Sequence, residues 1–222
     1  MPKLIRIKKI LFLFISLIIT VANAQNYSRR HLKTKDSLQL VKALDTYFDM
    51  SINQNWDGVL DRIYPGIFTI TPRDQMKKIL INATGNQSMR LIFRKPEHIR
   101  IDPGILEKDG KKYVLIDYGQ NFTIVFHPRN KENKGAFEGR MKYTLYDLKK
   151  KYGEENVHPG SDDNIFHLSL PKHMLAVYLP DKQQYFFIDY GTQTPKVMML
   201  QSLFDDELLK YFNEKIQSEQ NP

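Results

Sequence analysis

The stretch KKYVLIDYGQNFTIVF, Lys111 to Phe126, decides the fold. It is rich in β-branched and aromatic residues and holds that character past a glycine, so it predicts one long strand over 112–127. Further on, YFFIDYG (Tyr185 to Gly191) repeats YVLIDYG (Tyr113 to Gly119), and each follows a polar turn containing an aspartate, Asp109 or Asp181. The flanks then diverge, QNFTIVF against TQTPKVM, so one hairpin design is used twice and no domain is duplicated.

On a pleated strand Tyr113, Leu115 and Asp117 share a face, and Tyr185, Phe187 and Asp189 repeat that set. Each aspartate then neighbours apolar or aromatic side chains, and a carboxylate between apolar walls has a raised pKa that suits proton transfer. The competing expectation places both acids at a strand end. There Gly119 and Gly191 mark a bulge or turn and the carboxylate caps backbone N–H groups.

Outward from this stretch, period-two patterns predict strands over 89–93, 98–106, 165–170, 174–179 and 184–190, with a hairpin turn at Pro171. Upstream, helical spacing runs from Asp36 to Asn53, with Leu38, Val41, Leu44, Phe48 and Ile52 inward. A second helix covers WDGVLDRI and stops at Pro65-Gly66. A third opens with Thr71 and Pro72 and buries Met76, Ile79, Leu80 and Ala83. Downstream, YTLYDLKKKYG predicts a helix closed by Gly153, and GEENVHPGSDDN is a polar break. The last helix, Ser202 to Ile216, turns Leu208, Leu209, Phe212 and Ile216 inward and leaves a frayed tail over 217–222. Helices followed by consecutive antiparallel strands predict an α+β architecture.

The opening MPKLIRIKKILFLFISLIITVANAQ has a basic start, an apolar run from Ile10 to Val21 and a small-residue cleavage site, the pattern of a signal peptide cut after Ala24. The apolar run is shorter than the roughly 20 residues that span a bilayer. A soluble periplasmic or extracellular protein is therefore expected, with 25–35 a lead-in and 36–216 a single domain. Loss of the leader takes four basic residues and lowers the formal net charge from +8 to +4. The remaining basic residues are interleaved with acids, without an aromatic-basic motif, which argues against nucleic acid as a partner.

The chain has no cysteine, so disulfides, thiolate metal sites and thiol nucleophiles are excluded. Its six histidines lack metal-ligand spacing, and Asp162 and Asp163 lack the calcium-loop pattern. Neither G-x-S-x-G nor S-x-x-K nor a phosphate-cradling glycine loop is present, so no cofactor or metal is expected.

The segments NQNWDGVLDRIYPGIFTITPRDQMKKIL and KKYVLIDYGQNFTIVF, the block from LKKKYGEENVHPG to YFFIDYG, and the closing LLKYF resemble the nuclear transport factor 2-like (SnoaL-like) superfamily, in particular its exported bacterial members. The resemblance covers most of 36–216 and implies a cone, in which a strongly curved antiparallel sheet wraps around the N-terminal helices. The hydrophilic insert from Pro128 to Gly139 departs from compact enzymatic members. Enzymes of the group place an acid or a tyrosine on the cavity wall, and Tyr47, Asp117 and Asp189 are the candidates here. Trp56, Tyr113, Tyr185 and Phe187 are the candidate pocket residues. The expected function is non-catalytic binding of a small apolar ligand or an envelope protein. The alternatives are a lyase or isomerase with Asp117 or Asp189 as base, and a homodimer formed through the outer sheet face.

Overall fold

The computed structural model describes residues 27–191 and 194–220; the leader expected over Met1 to Ala24 lies outside the described residues. Over those residues the chain is α+β, with six helices and one antiparallel sheet of eight strands that does not close on itself. In order these are β1 (Ser28–His31), α1 (Thr34–Ile52), α2 (Trp56–Leu60), α3 (Arg73–Thr84), β2 (Met89–Phe93), β3 (Glu97–Ile101), β4 (Gly104–Lys108) and β5 (Lys111–Phe126). There follow α4 (Lys134–Tyr152), β6 (Val157–Pro159), β7 (Ile165–Leu179), β8 (Gln184–Tyr190), α5 (Thr194–Leu203) and α6 (Asp206–Gln220).

The sheet is built on a two-stranded spine. β5 and β7 pair without a break from Lys112 opposite Tyr178 to Val125 opposite Ile165. Short strands line its edges, with β4, β3 and β2 along β5 and with β8 and β6 along β7; β1 extends the sheet beyond β4. Asp109 (φ 54°) and Gly110 (φ 73°) form the tight turn between β4 and β5, a position that requires left-handed backbone.

The expected hairpin turn at Pro171 is not there, because β7 runs straight through it. Pro171 faces Gly119 where the outer edge of β7 passes from β6, paired over 166–168, to β8, paired over 173–179. A residue without an N–H is tolerated at such an interruption of the ladder. Conversely, the strand expected over 98–106 splits into β3 and β4 at Asp102-Pro103, where proline ends the pairing. The short edge strands β1 and β6 carry no alternating apolar pattern, which is why periodicity does not reveal them.

Three apolar clusters hold the helices to the sheet. Leu200, Phe204, Leu208, Leu209, Phe212 and Ile216 of α5, α6 and the link between them cover Tyr113, Leu115, Leu175, Val177, Ile188 and Tyr190 on one face. On the opposite face α1 packs Leu40, Ala43, Leu44 and Phe48 against Val114, Ile116, Tyr118, Met174 and Ala176. α4 covers the far half of the spine on the same side as α1, with Met141 against Ile124, Phe166, Leu168 and Leu170.

Two helix faces differ from expectation. In α1 the buried stripe is rotated, leaving Leu38 at 67% and Val41 at 41% exposure, because Leu40 and Ala43 meet the sheet instead. α3 lies at the edge of the fold, with Ile79 49% exposed, Ala83 exposed, and Met76 and Leu80 only half-buried. α4 begins inside the hydrophilic insert, where the Asn133 Oδ1 accepts from the Ala136 N–H at 2.9 Å, and it ends as expected at Gly153 (φ 95°). The single C-terminal helix is in fact α5 and α6. Asp205 restarts the chain as cap, with Oδ1 accepting from the Leu208 N–H at 3.0 Å and Oδ2 accepting from the Tyr27 hydroxyl at 2.8 Å. α6 continues to Gln220, through most of the expected frayed tail.

Candidate functional site

Register decides what the repeated string does. Met174 of β7 lies opposite both Ile116 and Asp189, whereas His173 lies opposite both Asp117 and Tyr190. Paired residues point to the same face, so Asp117 belongs to the α6 side of the sheet and Asp189 to the α1 side. The two copies of one heptapeptide therefore present their equivalent side chains to opposite faces. Asp117 and Asp189 cannot serve one site together.

Asp117 does not sit between apolar walls. Its Oδ1 meets His173 Nδ1 at 2.6 Å and its Oδ2 accepts from the Arg100 guanidinium at 2.6 Å. Burial opposes its ionisation, but the His173 and Arg100 bonds and charges outweigh burial and hold the carboxyl below the usual carboxylate range. This acid is an electrostatic clamp joining β3, β5 and β7. His173 enters the arrangement only through register, so its spacing in the sequence gave no signal.

Asp189 borders a cavity of about 190 Å³ enclosed by α1, α2 and the sheet. Tyr47 and Phe48 reach it from α1, Trp56 from α2, Phe93 from β2 and Tyr118 from β5. The rings form two groups. Trp56 meets Phe93 edge to face at 6.2 Å, and Phe48 links Tyr47 (5.8 Å) to Tyr118 (5.3 Å). The Asn55 Oδ1 accepts from the Gly58 N–H at 3.1 Å and so fixes the first turn that carries Trp56. A Cβ at Gly58 would lie 2.8 Å from Met50 Sδ and 2.9 Å from Asn55 Nδ2, so a larger residue at the α1–α2 corner would have to displace the Met50 thioether and the Asn55 cap.

Burial, with the Asp189 charge adding to it, pushes the Tyr47 phenol up to about 12. Burial acts on Tyr118 in the same way and raises it well above its ordinary value, with contributions from Tyr47 and Asp189. Both phenols therefore stay protonated and can donate hydrogen bonds. Asp189 itself is exposed at the cavity mouth.

Of the candidates expected from sequence, Tyr47, Trp56 and Asp189 meet at this cavity. Asp117 lies across the sheet, and Tyr113 packs against Phe204 at 6.2 Å in the α6 cluster. Tyr185 and Phe187 are buried under α1; Phe187 supports the Tyr47 ring at 5.0 Å. Tyr118 is not among the sequence candidates, since only the pairing of β5 with β7 shows which side of the sheet it faces.

Among the described residues the buried Tyr185 hydroxyl has no hydrogen-bond partner. Tyr185→Phe should leave stability unchanged or raise it by about 1 kcal/mol, read from the urea midpoint, because it removes an unsatisfied polar group. A loss of stability would reveal a partner for that hydroxyl.

Among the described residues no group of three or more His, Cys, Asp or Glu could hold a metal ion, and no helix is long and apolar enough to cross a membrane. A scan against protein-family models and a search of curated proteins return no match.

Proposed function

We propose that the protein is an exported binding module of the nuclear transport factor 2-like type, and that the α1–sheet cavity takes a small, largely apolar ligand with one polar end. The observation that carries this reading is the convergence of the Tyr47 and Tyr118 phenols and the Asp189 carboxylate on an aromatic-walled space. Such a pocket binds by apolar burial and orients its ligand through a few polar groups. The leader supports export. The sequence of helices, then a sheet laid over α1, supports the cone-like fold.

The same convergence favours one second reading. Asp189 could abstract a proton while a phenol donates to the developing oxyanion, as in lyases and isomerases. Binding is preferred because Asp189 is exposed at the mouth and not enclosed by apolar walls.

Trp56 is the only tryptophan of the chain, so its emission reports on this cavity alone. Titration with a panel of compact apolar alcohols, ketones and amines should give a saturable change in that emission for at least one member. Ser51→Phe, which places a ring in the cavity from α1, should abolish it with the far-UV circular dichroism unchanged. A panel without any response, together with no retained ligand in native mass spectrometry, would end the binding reading. Turnover of a carbon acid that disappears in Asp189→Asn would establish the enzymatic one.

A further inference from the structure

Resting on the binding reading above, we infer that the polar end of the ligand is a cation, a small alkylammonium group held between the aromatic walls and Asp189. Five of the cavity's lining side chains are aromatic and belong to four different elements, so the rings surround the space and do not form a single stripe. Aromatic faces carry the negative end of the ring quadrupole and attract a cation placed over them, more strongly where water is displaced. Asp189 adds a formal negative charge at the mouth, and that charge is felt at both phenols inside.

Among the described residues Arg94 is the one cation that also borders the cavity. Its Nε reaches Thr123 Oγ1 at 3.4 Å, and Thr123 has the strand parity of Asp117, which belongs to the other face of the sheet. The Arg94 head group is thus drawn away from the rings. The cavity, of about 190 Å³ and open at its mouth, has room for a head group of a few methylated atoms.

An isosteric pair tests the inference directly. Choline and 3,3-dimethylbutan-1-ol have the same shape and the same hydroxyl, and differ in carrying a quaternary nitrogen or a quaternary carbon. Choline should bind the whole protein at least about tenfold more tightly, by Trp56 emission and by calorimetry. Asp189→Asn should lose most of that preference with the far-UV circular dichroism of the parent retained, since the side chain is exposed and outside the packed core. Trp56→Phe, followed by calorimetry, should weaken choline more than the neutral alcohol.

Equal binding of the pair, or tighter binding of the alcohol, overturns cation selection and leaves an apolar pocket standing. Cation selection also falls, with the pocket intact, if neither compound binds while other neutral members of the panel do. If nothing binds at all, the binding reading falls with it. A preference for choline that survives in Asp189→Asn and also in Trp56→Phe would assign the cation to another part of the surface and likewise overturn the inference.

Discussion

Phe212→Ala is expected to lower stability by about 3–5 kcal/mol, a large fraction of what holds a single domain folded. Phe212 is fully buried at the centre of the α6 contact, one turn from Leu208 and from Ile216, and its ring meets Tyr190 edge to face at 6.1 Å. The Tyr190 hydroxyl completes that junction, its one proton shared between the Leu209 carbonyl at 3.1 Å and Asn213 Oδ1 at 3.0 Å. Removing the ring leaves a cavity between a rigid sheet and the last helix, where the backbone has few ways to close it. Urea unfolding gives the measurement. A smaller slope alongside the lower midpoint would show α6 already detached in the native ensemble. A loss below about 1 kcal/mol would mean that α6 is peripheral, contrary to the packing described.

Asp117→Asn is expected to cost about 1–3 kcal/mol near neutral pH, because it takes a charge from between His173 and Arg100 while leaving both in place. The lower end applies if solvent screens the pair strongly, since Arg100 is 57% exposed. The pH dependence has a definite sign. The native carboxyl lies below its unfolded value, so its contribution is complete above the ordinary aspartate pKa of about 4 and is lost as pH falls through the native value. The gap between parent and variant should therefore be widest above about pH 5 and close in acid. A gap that stays constant across that range would show that the asparagine perturbs packing and that the charge of Asp117 contributes little.

Much of the architecture is legible in local chemistry. The α+β order, the strands at 89–93 and 184–190, the Gly153 stop and the inward set Leu208, Leu209, Phe212 and Ile216 all follow from periodicity and turn residues. What local chemistry cannot carry is pairing. Pro171 reads as a turn until Gly119 and the change of edge partner around it are known. The rotated stripe of α1 is legible only once the sheet shows which side chains it accepts. The candidate site divides in the same way. Tyr47, Trp56 and Asp189 could be named from the sequence as isolated possibilities, whereas Tyr118 and the His173 contact of Asp117 depend on the register between β5 and β7, strands far apart in the chain.

That separation has a kinetic meaning. The repeated heptapeptides lie in the returning strands of two local hairpins, β4–β5 and β7–β8, each closed by a short turn. Such hairpins form within about 1–10 μs. Joining them into the spine means closing at least the 39 residues between Val125 and Ile165, with α4 inside the loop, before the long ladder returns any free energy. Chains dominated by pairings of this kind fold in milliseconds to seconds. The meeting of the two hairpins, more than the formation of either, is then the step that commits the chain, and it is also the step that sends one aspartate to each side of the sheet.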